Sequence, residues 1–443
     1  MSNVGRQERS RTGSTGNPAG ADTDRGLSVH DDVPPPGAPD DAGTRATTAK
    51  ARRRMLLGAM FLMSTSAIGP GFITQTTAFT VTLGAAFAFA ILVSILVDIA
   101  VQLNVWRVIG VSGRRAQELG NLVLPGLGYA LAGLVVMGGL IFNIGNVGGG
   151  GLGLDALLGV EPRIGGALTA GVAIAIFLSH WAGVSMDRIV VLMGVIMISL
   201  TAYVAVVSDP PIGAALRNTV LPEEVQFLTI TTLIGGTVGG YITYAGAHRL
   251  LDSGVTGPDN VGQISRSSVT GILVTGVMRV LLFLAILGVV AGGVQLAAAN
   301  PAASAFESAA GEVGLRLFGM VLWAASITSV IGASYTSVSF VTTFHRSLAA
   351  RRNLLTVGFI ATSAIAYLIL GKTPVKLLIF AGGFNGLILP LGFTVLLWVA
   401  ARRRDLLGGY AYPKWLLGIG VLAWGLTLYL GWQSLEGLQK LWA

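Results

Sequence analysis

The chain has 443 residues, of which 53% are apolar and only 11% charged, and its mean hydropathy is +0.72. Soluble domains carry about 25% charged residues, so a soluble enzyme, a disordered protein and a nucleic-acid binder are all disfavoured. The net charge of +8 fits the Lys and Arg excess of cytoplasmic loops in a polytopic membrane protein, and the absence of cysteine removes disulfides, thiolate metal sites and cysteine nucleophiles.

Residues 1–50 depart from this composition. They are rich in Gly, Pro, Ser, Asp and Arg and include Pro34-Pro35-Pro36, which predicts a disordered cytoplasmic tail without the apolar core of a secretory signal. Residues 51–443 read as one transmembrane domain. A span needs about 20 apolar residues, and about eleven such segments follow one another. They cover Leu56–Thr80, Ala85–Val105, Pro125–Leu152, Gly165–Trp181, Ile189–Val207, Phe227–Leu250, Val269–Gly292, Leu317–Thr343, Leu354–Leu370, Leu377–Ala401 and Leu416–Trp432. Lys50 and Arg52–Arg54 precede the first span. Alternation then puts Arg114–Arg115, Arg249, Arg266, Arg346, Arg351–Arg352 and Arg402–Arg404 on the same side, with Glu223–Glu224, Glu307 and Glu312 opposite, against an opposing pair at Lys372 and Lys376. The basic excess predicts a cytoplasmic N-terminus and a multi-pass protein of the cell membrane.

Two spans read as interrupted helices. The first contains Gly69-Pro70-Gly71-Phe72-Ile73-Thr74, and the sixth Gly239-Gly240-Tyr241-Ile242-Thr243. Aligned on Gly71 and Gly240, 169 residues apart, both read Gly-aromatic-Ile-Thr. Proline removes a backbone donor and glycine weakens a helix by about 1 kcal/mol. Freed backbone groups at membrane depth are tolerated only inside protein or along a cavity. The copies lie five spans apart, an odd number, so the second is inverted in the membrane. Glycine-interrupted segments at matching positions of an inverted repeat point to a transporter's midplane site. Close helix packing is the simpler use of such glycines, but the matched tetrapeptide with its proline favours the site.

At these residues the chain resembles the NRAMP family, from about Arg54 to the C-terminus. Gly69-Pro70-Gly71-Phe72 stands where the family has Asp-Pro-Gly-Asn on its first helix. Trp106 to Gly113 resembles the loop after the second helix, Ala325-Ser326-Ile327-Thr328 through Tyr335-Thr336-Ser337 the polar eighth helix, and Asn385 to Pro390 the tenth. The resemblance implies an all-α membrane protein of the LeuT-type fold, with inverted repeats at about 55–207 and 227–401 and an extra helix at 416–432. It also implies a transporter rather than an enzyme.

The departures bear on the substrate. In the metal-transporting members an Asp and an Asn of the first helix and a Met of the sixth hold a transition metal. Here those first-helix positions are Gly69 and Phe72, and the sixth-span break offers Gly239, Gly240 and Tyr241. Manganese and iron favour oxygen and imidazole donors, and neither break supplies a carboxylate, an imidazole or a thioether. A small uncharged polar pocket is expected instead. Its residues would be Gly69, Gly71, Phe72, Thr74, Gln75, Asn143, Asn146, Gly239, Gly240, Tyr241, Thr243, Tyr244 and Asn385, with Thr76, Thr77, Ser334 and Ser337 nearby. The helix restarting near Phe72 turns its N-terminus, which favours negative charge, to the midplane. Phe72 and Tyr241 would form apolar walls for a small organic molecule.

Charged residues within spans are costly and become functional candidates. Asp98 in the second span, His248 closing the sixth and Arg279 in the seventh are the expected coupling or proton-carrying groups. Asp98 could equally pair with a loop Arg, and His248 could simply be interfacial. The expected function is secondary active uptake of a small neutral or anionic organic solute, a carboxylate or lactam such as 5-oxoproline, by alternating access. Protons or sodium would drive it, with no cofactor and no nucleic acid, in a chain working in the lipid bilayer as a monomer. The competing reading is a divalent-metal transporter with a rearranged site using Gln75, Asn143 and backbone carbonyls. A membrane-embedded enzyme lacks a visible nucleophile–base pair, an H-E-x-x-H spacing or a phosphate loop. A channel fits broken inverted repeats less well than alternating access does.

Overall fold

The computed structural model describes residues 67–443 apart from 180–181, 253, 371–372 and 443, and side chains of 182–191 and 441–442 lie outside the description. The expected tail at residues 1–50 and the start of the first span therefore fall outside the described residues. The helices are α1 Pro70–Leu83, α2 Phe87–Ser112, α3 Ala116–Val123, α4 Leu127–Leu158, α5 Pro162–Leu178, α6 Ala182–Val207 and α7 Ile212–Val220. They continue with α8 Phe227–Thr237, α9 Ile242–Asp252, α10 Val261–Ala291, α11 Pro301–Thr342, α12 Arg346–Ala350, α13 Arg352–Leu370, α14 Pro374–Arg402 and α15 Lys414–Trp442.

Seven stretches among the described residues are long and apolar enough to cross a membrane, and a bent pair ending in α7 makes eight. The expected eleven spans fit this set. Pro70–Ser112 holds two of them, while α5, with 17 residues, and the halves α8 and α9, with 11 each, fall short singly. Leu96, Val206, Ile369 and Trp432 are exposed, as side chains facing lipid must be.

Three elements depart from the expected spans. The eighth begins earlier, at Pro301, and Gly311 (φ 63°, ψ −161°) divides it into a short leading helix and the long helix beyond. Asn300 caps this start by accepting from the Ala303 amide at 3.3 Å. After the fifth span the chain turns by 107° into α7, a short helix without an acidic residue in its first turn. At Gly84 (φ 53°) a short 3-10 helix joins α1 to α2.

Packing separates two groups of helices. On one side α2 packs against α8, α9 and α10, and α1 against α10; on the other α4 packs against α5, α11 and α13. Between them α14 touches both α8 and α4, and α15 lies against α2, α8 and α14. Helices in lipid associate through close packing rather than a hydrophobic drive, and α8 meets α14 glycine to glycine. A Cβ at Gly235 would strike the backbone at Gly382 and Gly386, and one at Gly386 the carbonyl of Thr231.

The end of the bundle bearing most of the arginines is tied by side chains from α3. Arg115 caps this helix, donating a 2.7 Å ion pair to Asp252 at the end of α9 and a 3.2 Å hydrogen bond to the Ser339 carbonyl of α11. Arg403 donates to the Leu122 carbonyl at 2.8 Å. One short helix thus holds the second half of the broken sixth span against α11.

Two expectations follow. Gly235→Ala should destabilise the purified protein by about 1–3 kcal/mol through overpacking, read as a lower melting temperature. Gly171→Ala, on an exposed face of α5 with nothing near its Cβ, should leave that temperature unchanged. Secondly, because the chain has no cysteine, Ala247→Cys introduces a single thiol at a buried position of α9. Adding Arg115→Ala should raise its labelling rate several-fold by freeing α9, while Arg217→Ala on α7 should not.

Candidate functional site

The first break lies at Ile68 and Gly69, and α1 resumes at Pro70. Proline suits this first helical position because its missing N–H would be unpaired there anyway. Gly69 is extended (φ −111°, ψ −169°). Its missing side chain leaves room for the Ser329 hydroxyl of α11, with the Asn146 carboxamide of α4 at 3.9 Å from where a Cβ would be. Pro70 occupies the space left by Gly149, and a Cβ at Gly71 would lie 3.0 Å from the Phe142 ring. Small residues on α1 and α4 thereby bring the helix N-terminus into the polar seam between α4 and α11.

The second break covers residues 238–241, between α8 and α9. Gly240 has φ 53°, and any Cβ there would collide with the Asn385 carboxamide of α14. Asn385 donates to the carbonyls of Gly138 at 3.1 Å and Ala381 at 2.8 Å, leaving its Oδ1 beside Gly240 without a partner. Tyr241 is fully buried, its ring edge-on to Phe142 at 5.9 Å. Its hydroxyl lies next to the Asn146 side chain, although neither completes a hydrogen bond.

Both breaks open onto a group of buried polar atoms with no hydrogen-bond partner. They are Gln75 Oε1, both polar atoms of the Asn146 carboxamide, the hydroxyls of Tyr241, Ser329 and Ser337, and Asn385 Oδ1. Contacts join them into one cluster: Ser329 and Asn146 border Gly69, Ser337 and Tyr241 border Gly139, and Asn385 borders Gly240. Gln75 anchors its amide on the Leu378 carbonyl at 2.9 Å and lies against Gly71, Gly236 and Gly382. Interiors leave few polar atoms unpaired, so a concentration of them at two helix breaks marks groups available to a ligand. These are neutral donors and acceptors between aromatic walls.

Other expected site residues are used differently. Asn143 donates to Ser334 at 3.0 Å and Ser363 at 3.1 Å, tying α4 to α11 and α13. Thr243 donates to Gln102 at 3.2 Å, and its carbonyl accepts from Trp106 at 3.0 Å, so it fixes α9 on α2. Tyr244 packs edge-on against Phe340 at 5.1 Å, towards the Arg115 end. Thr74 is buried on α1, where Thr76 and Thr77 also keep unpartnered hydroxyls. Phe72 is not a free wall: the Arg279 guanidinium lies over its ring at 4.5 Å. His248, 3% exposed, shares a 3.2 Å hydrogen bond between its Nδ1 and the Ser339 hydroxyl and leaves Nε2 unpartnered. It belongs to the Arg115 tie rather than to the midplane cluster.

Asp98 and Arg279 are 1% and 2% exposed. Asp98 lies beside Thr237, the last residue of α8, and feels the charge of Arg279 rather than of a loop arginine. Neither carboxylate oxygen of Asp98 is hydrogen-bonded, nor are Nε and Nη2 of Arg279. The opposed charges therefore flank the two breaks, Asp98 at the end of α8 and Arg279 at the start of α1.

Sequence reasoning overlooked Ser329, Thr237 and Phe142. Ser329 lies inside the polar stretch from Ala325 to Ser337 but was not singled out from its neighbouring serines and threonines. Phe142 immediately precedes Asn143 and becomes visible only because Gly71 and Tyr241 converge on it.

The sequence matches the family described as natural resistance-associated macrophage protein-like over residues 60–435. A Bacillus subtilis (strain 168) protein, the uncharacterized membrane protein YcsG, is 52% identical over 390 residues, spanning 88% of this chain and 96% of its own. An uncharacterized membrane protein of Haemophilus influenzae is 53% identical over 365 residues, 82% of this chain and 91% of its own. Among solved structures, an Eremococcus coleocola manganese transporter superposes with a TM-score of 0.69 at 16% identity, over 90% of this chain and 89% of that one. MhsT, solved in complex with L-phenylalanine, superposes with a TM-score of 0.62 at 15% identity, over 85% and 98%. The all-helical fold is thus that of the NRAMP and LeuT-type transporters, and this multi-span membrane protein belongs to the Nramp family, whose members are transporters rather than enzymes.

Proposed function

We propose that this protein is a secondary active transporter that takes up a small neutral or anionic organic solute, a carboxylate or lactam of the size of 5-oxoproline, by alternating access. The observation that carries this reading is the chemistry of the midplane cluster. The side-chain oxygens of Gln75 and Asn385, the carboxamide of Asn146 and the hydroxyls of Tyr241 and Ser329 lie unpaired beside aromatic rings. Such a set recognises carbonyl, carboxylate and N–H groups of an organic molecule, while its apolar walls cover carbon.

A divalent cation would find poorer conditions there. Among the described residues, the carboxylate near the breaks, Asp98, is accompanied by Arg279, and like charges repel strongly where water is scarce. Among the described residues no three His, Cys, Asp or Glu side chains come together. The manganese transporter and MhsT share the fold, so the fold leaves both substrate classes open and the residues at the breaks must decide. The arginine-rich end would face the cytoplasm of a cell-membrane protein by the positive-inside rule. The bundle would act as a monomer, with a proton or sodium ion as its coupling partner.

A binding screen on the purified protein, by thermal shift and then calorimetry, tests this directly. It sets manganese and magnesium against small carboxylates, lactams including 5-oxoproline, and amino acids. Saturable binding of an organic compound is expected, weakened at least tenfold by Gln75→Ala and by Tyr241→Ala. Saturable manganese binding with no organic ligand would instead return the chain to metal transport.

A further inference from the structure

The two buried charges suggest how the proposed transport is coupled, an inference that rests on the organic-solute reading above. We propose that Asp98 carries the coupling proton and that Arg279 receives the anionic group of the solute, so that one carboxylate crosses with one proton and no net charge moves.

The argument begins with charge balance. Asp98 and Arg279 are fully buried, opposite in sign and within range of each other's charge, yet neither bonds the other directly. Together they are neutral. An anionic solute entering this water-poor region would leave it with one uncompensated negative charge, which burial makes very costly. A proton arriving with the solute restores neutrality: the Asp98 carboxylate becomes a carboxylic acid, and Arg279 is left to pair with the solute carboxylate. Release on the other side reverses both steps, the acid returning its proton to water as the solute leaves. Nothing is oxidised or reduced.

The helix ends lead to the same assignment. Arg279 stacks over Phe72 in the first turn of α1, next to a helix N-terminus whose free N–H groups attract an anion. Asp98 lies by Thr237 at the C-terminus of α8, where a helix end carries partial negative charge. Each side chain therefore adds to a helix end of its own sign. The start of α1 with Arg279 forms a positive locus, and the end of α8 with Asp98 a negative one. Unpartnered Nε and Nη2 of Arg279 remain for a carboxylate to accept from, and both Asp98 oxygens are free to take a proton. Among the described residues packed around α2, Arg279 is the ionisable group that acts on Asp98. Neither α1 nor α8 carries a titratable side chain, and the His248, Arg249 and Asp252 group sits at the far end of α9.

The experiment uses the full chain in proteoliposomes, with radiolabelled 5-oxoproline as probe, a pH dye inside, and the membrane potential set by valinomycin and potassium. Uptake should acidify the lumen by one proton per molecule, rise at least tenfold with an inward proton gradient, and change less than twofold with membrane potential. Asp98→Asn should bring uptake to the same low rate with and without the gradient. Arg279→Gln should weaken the probe at least tenfold. Should either single variant fail to fold, the uncharged pair Asp98→Asn with Arg279→Gln removes both buried charges. It should retain binding of the carboxylate-free lactam 2-pyrrolidinone while losing 5-oxoproline and proton flux. Uptake that carries current, or that still follows the proton gradient in Asp98→Asn, overturns this coupling scheme and leaves the organic-solute reading standing. No saturable uptake of 5-oxoproline or any other organic probe by the unaltered protein overturns both.

Discussion

Backbone that leaves a helix inside a bilayer has no water to turn to, and this constraint organises the molecule. Both breaks must be enclosed by protein on every side. Enclosure is achieved by removing side chains so that neighbouring helices come close. Gly69 admits Ser329, Gly149 admits Pro70, and Gly235 brings α8 against α14 at Gly382 and Gly386. The same approach delivers carboxamides and hydroxyls to the breaks, because the helices that close in are those carrying Asn146, Ser329, Ser337 and Asn385. Packing and polarity at the midplane are thus one arrangement, and substitutions there act on both.

The titratable side chains gather at two places. One opposed pair, Asp98 and Arg279, stands at the breaks, while Arg115, Asp252 and His248 gather where α3 meets α9 and α11. Trp106 and Gln102 on α2 hold α9 through Thr243, so the second half of the sixth span is fastened both along its length and at its tip. Movement of this half-helix has to release the ion pair at the tip, whose partners are partly exposed and therefore weakly bound.

Much of this was legible beforehand. Hydrophobic run lengths located the spans, and the Gly-aromatic-Ile-Thr repeat located both breaks, because local backbone chemistry is written in adjacent residues. The role of Asp98 was open, since the sequence offers a loop arginine as a simple partner for it, and only helix packing brings Arg279 to it instead. Phe72 was expected as a wall of the site and instead supports Arg279, a contact between residues 207 positions apart. Asn143 and Asn146, three residues apart, lie on neighbouring positions of one helix face, so the sequence did not tell them apart; one ties helices while the other meets the break. Ser329 escaped notice because a serine in a serine-rich span gives no sign of the side it faces.

The fifteenth helix lies outside the repeat and fastens to α8, α2 and α14, through Thr231 with Ser434, Asn104 with the Leu416 carbonyl and Trp424 with Thr394. A transporter of two matched halves would have inward- and outward-open states related by its internal pseudosymmetry and close in energy. Helix α15 packs mainly on α2, α8 and α14, so in such a carrier the two states would not be energetic mirror images. The fit of this appended helix and the surrounding lipid to each state would then set the resting populations, which would make bilayer thickness a handle on the direction in which the empty carrier waits.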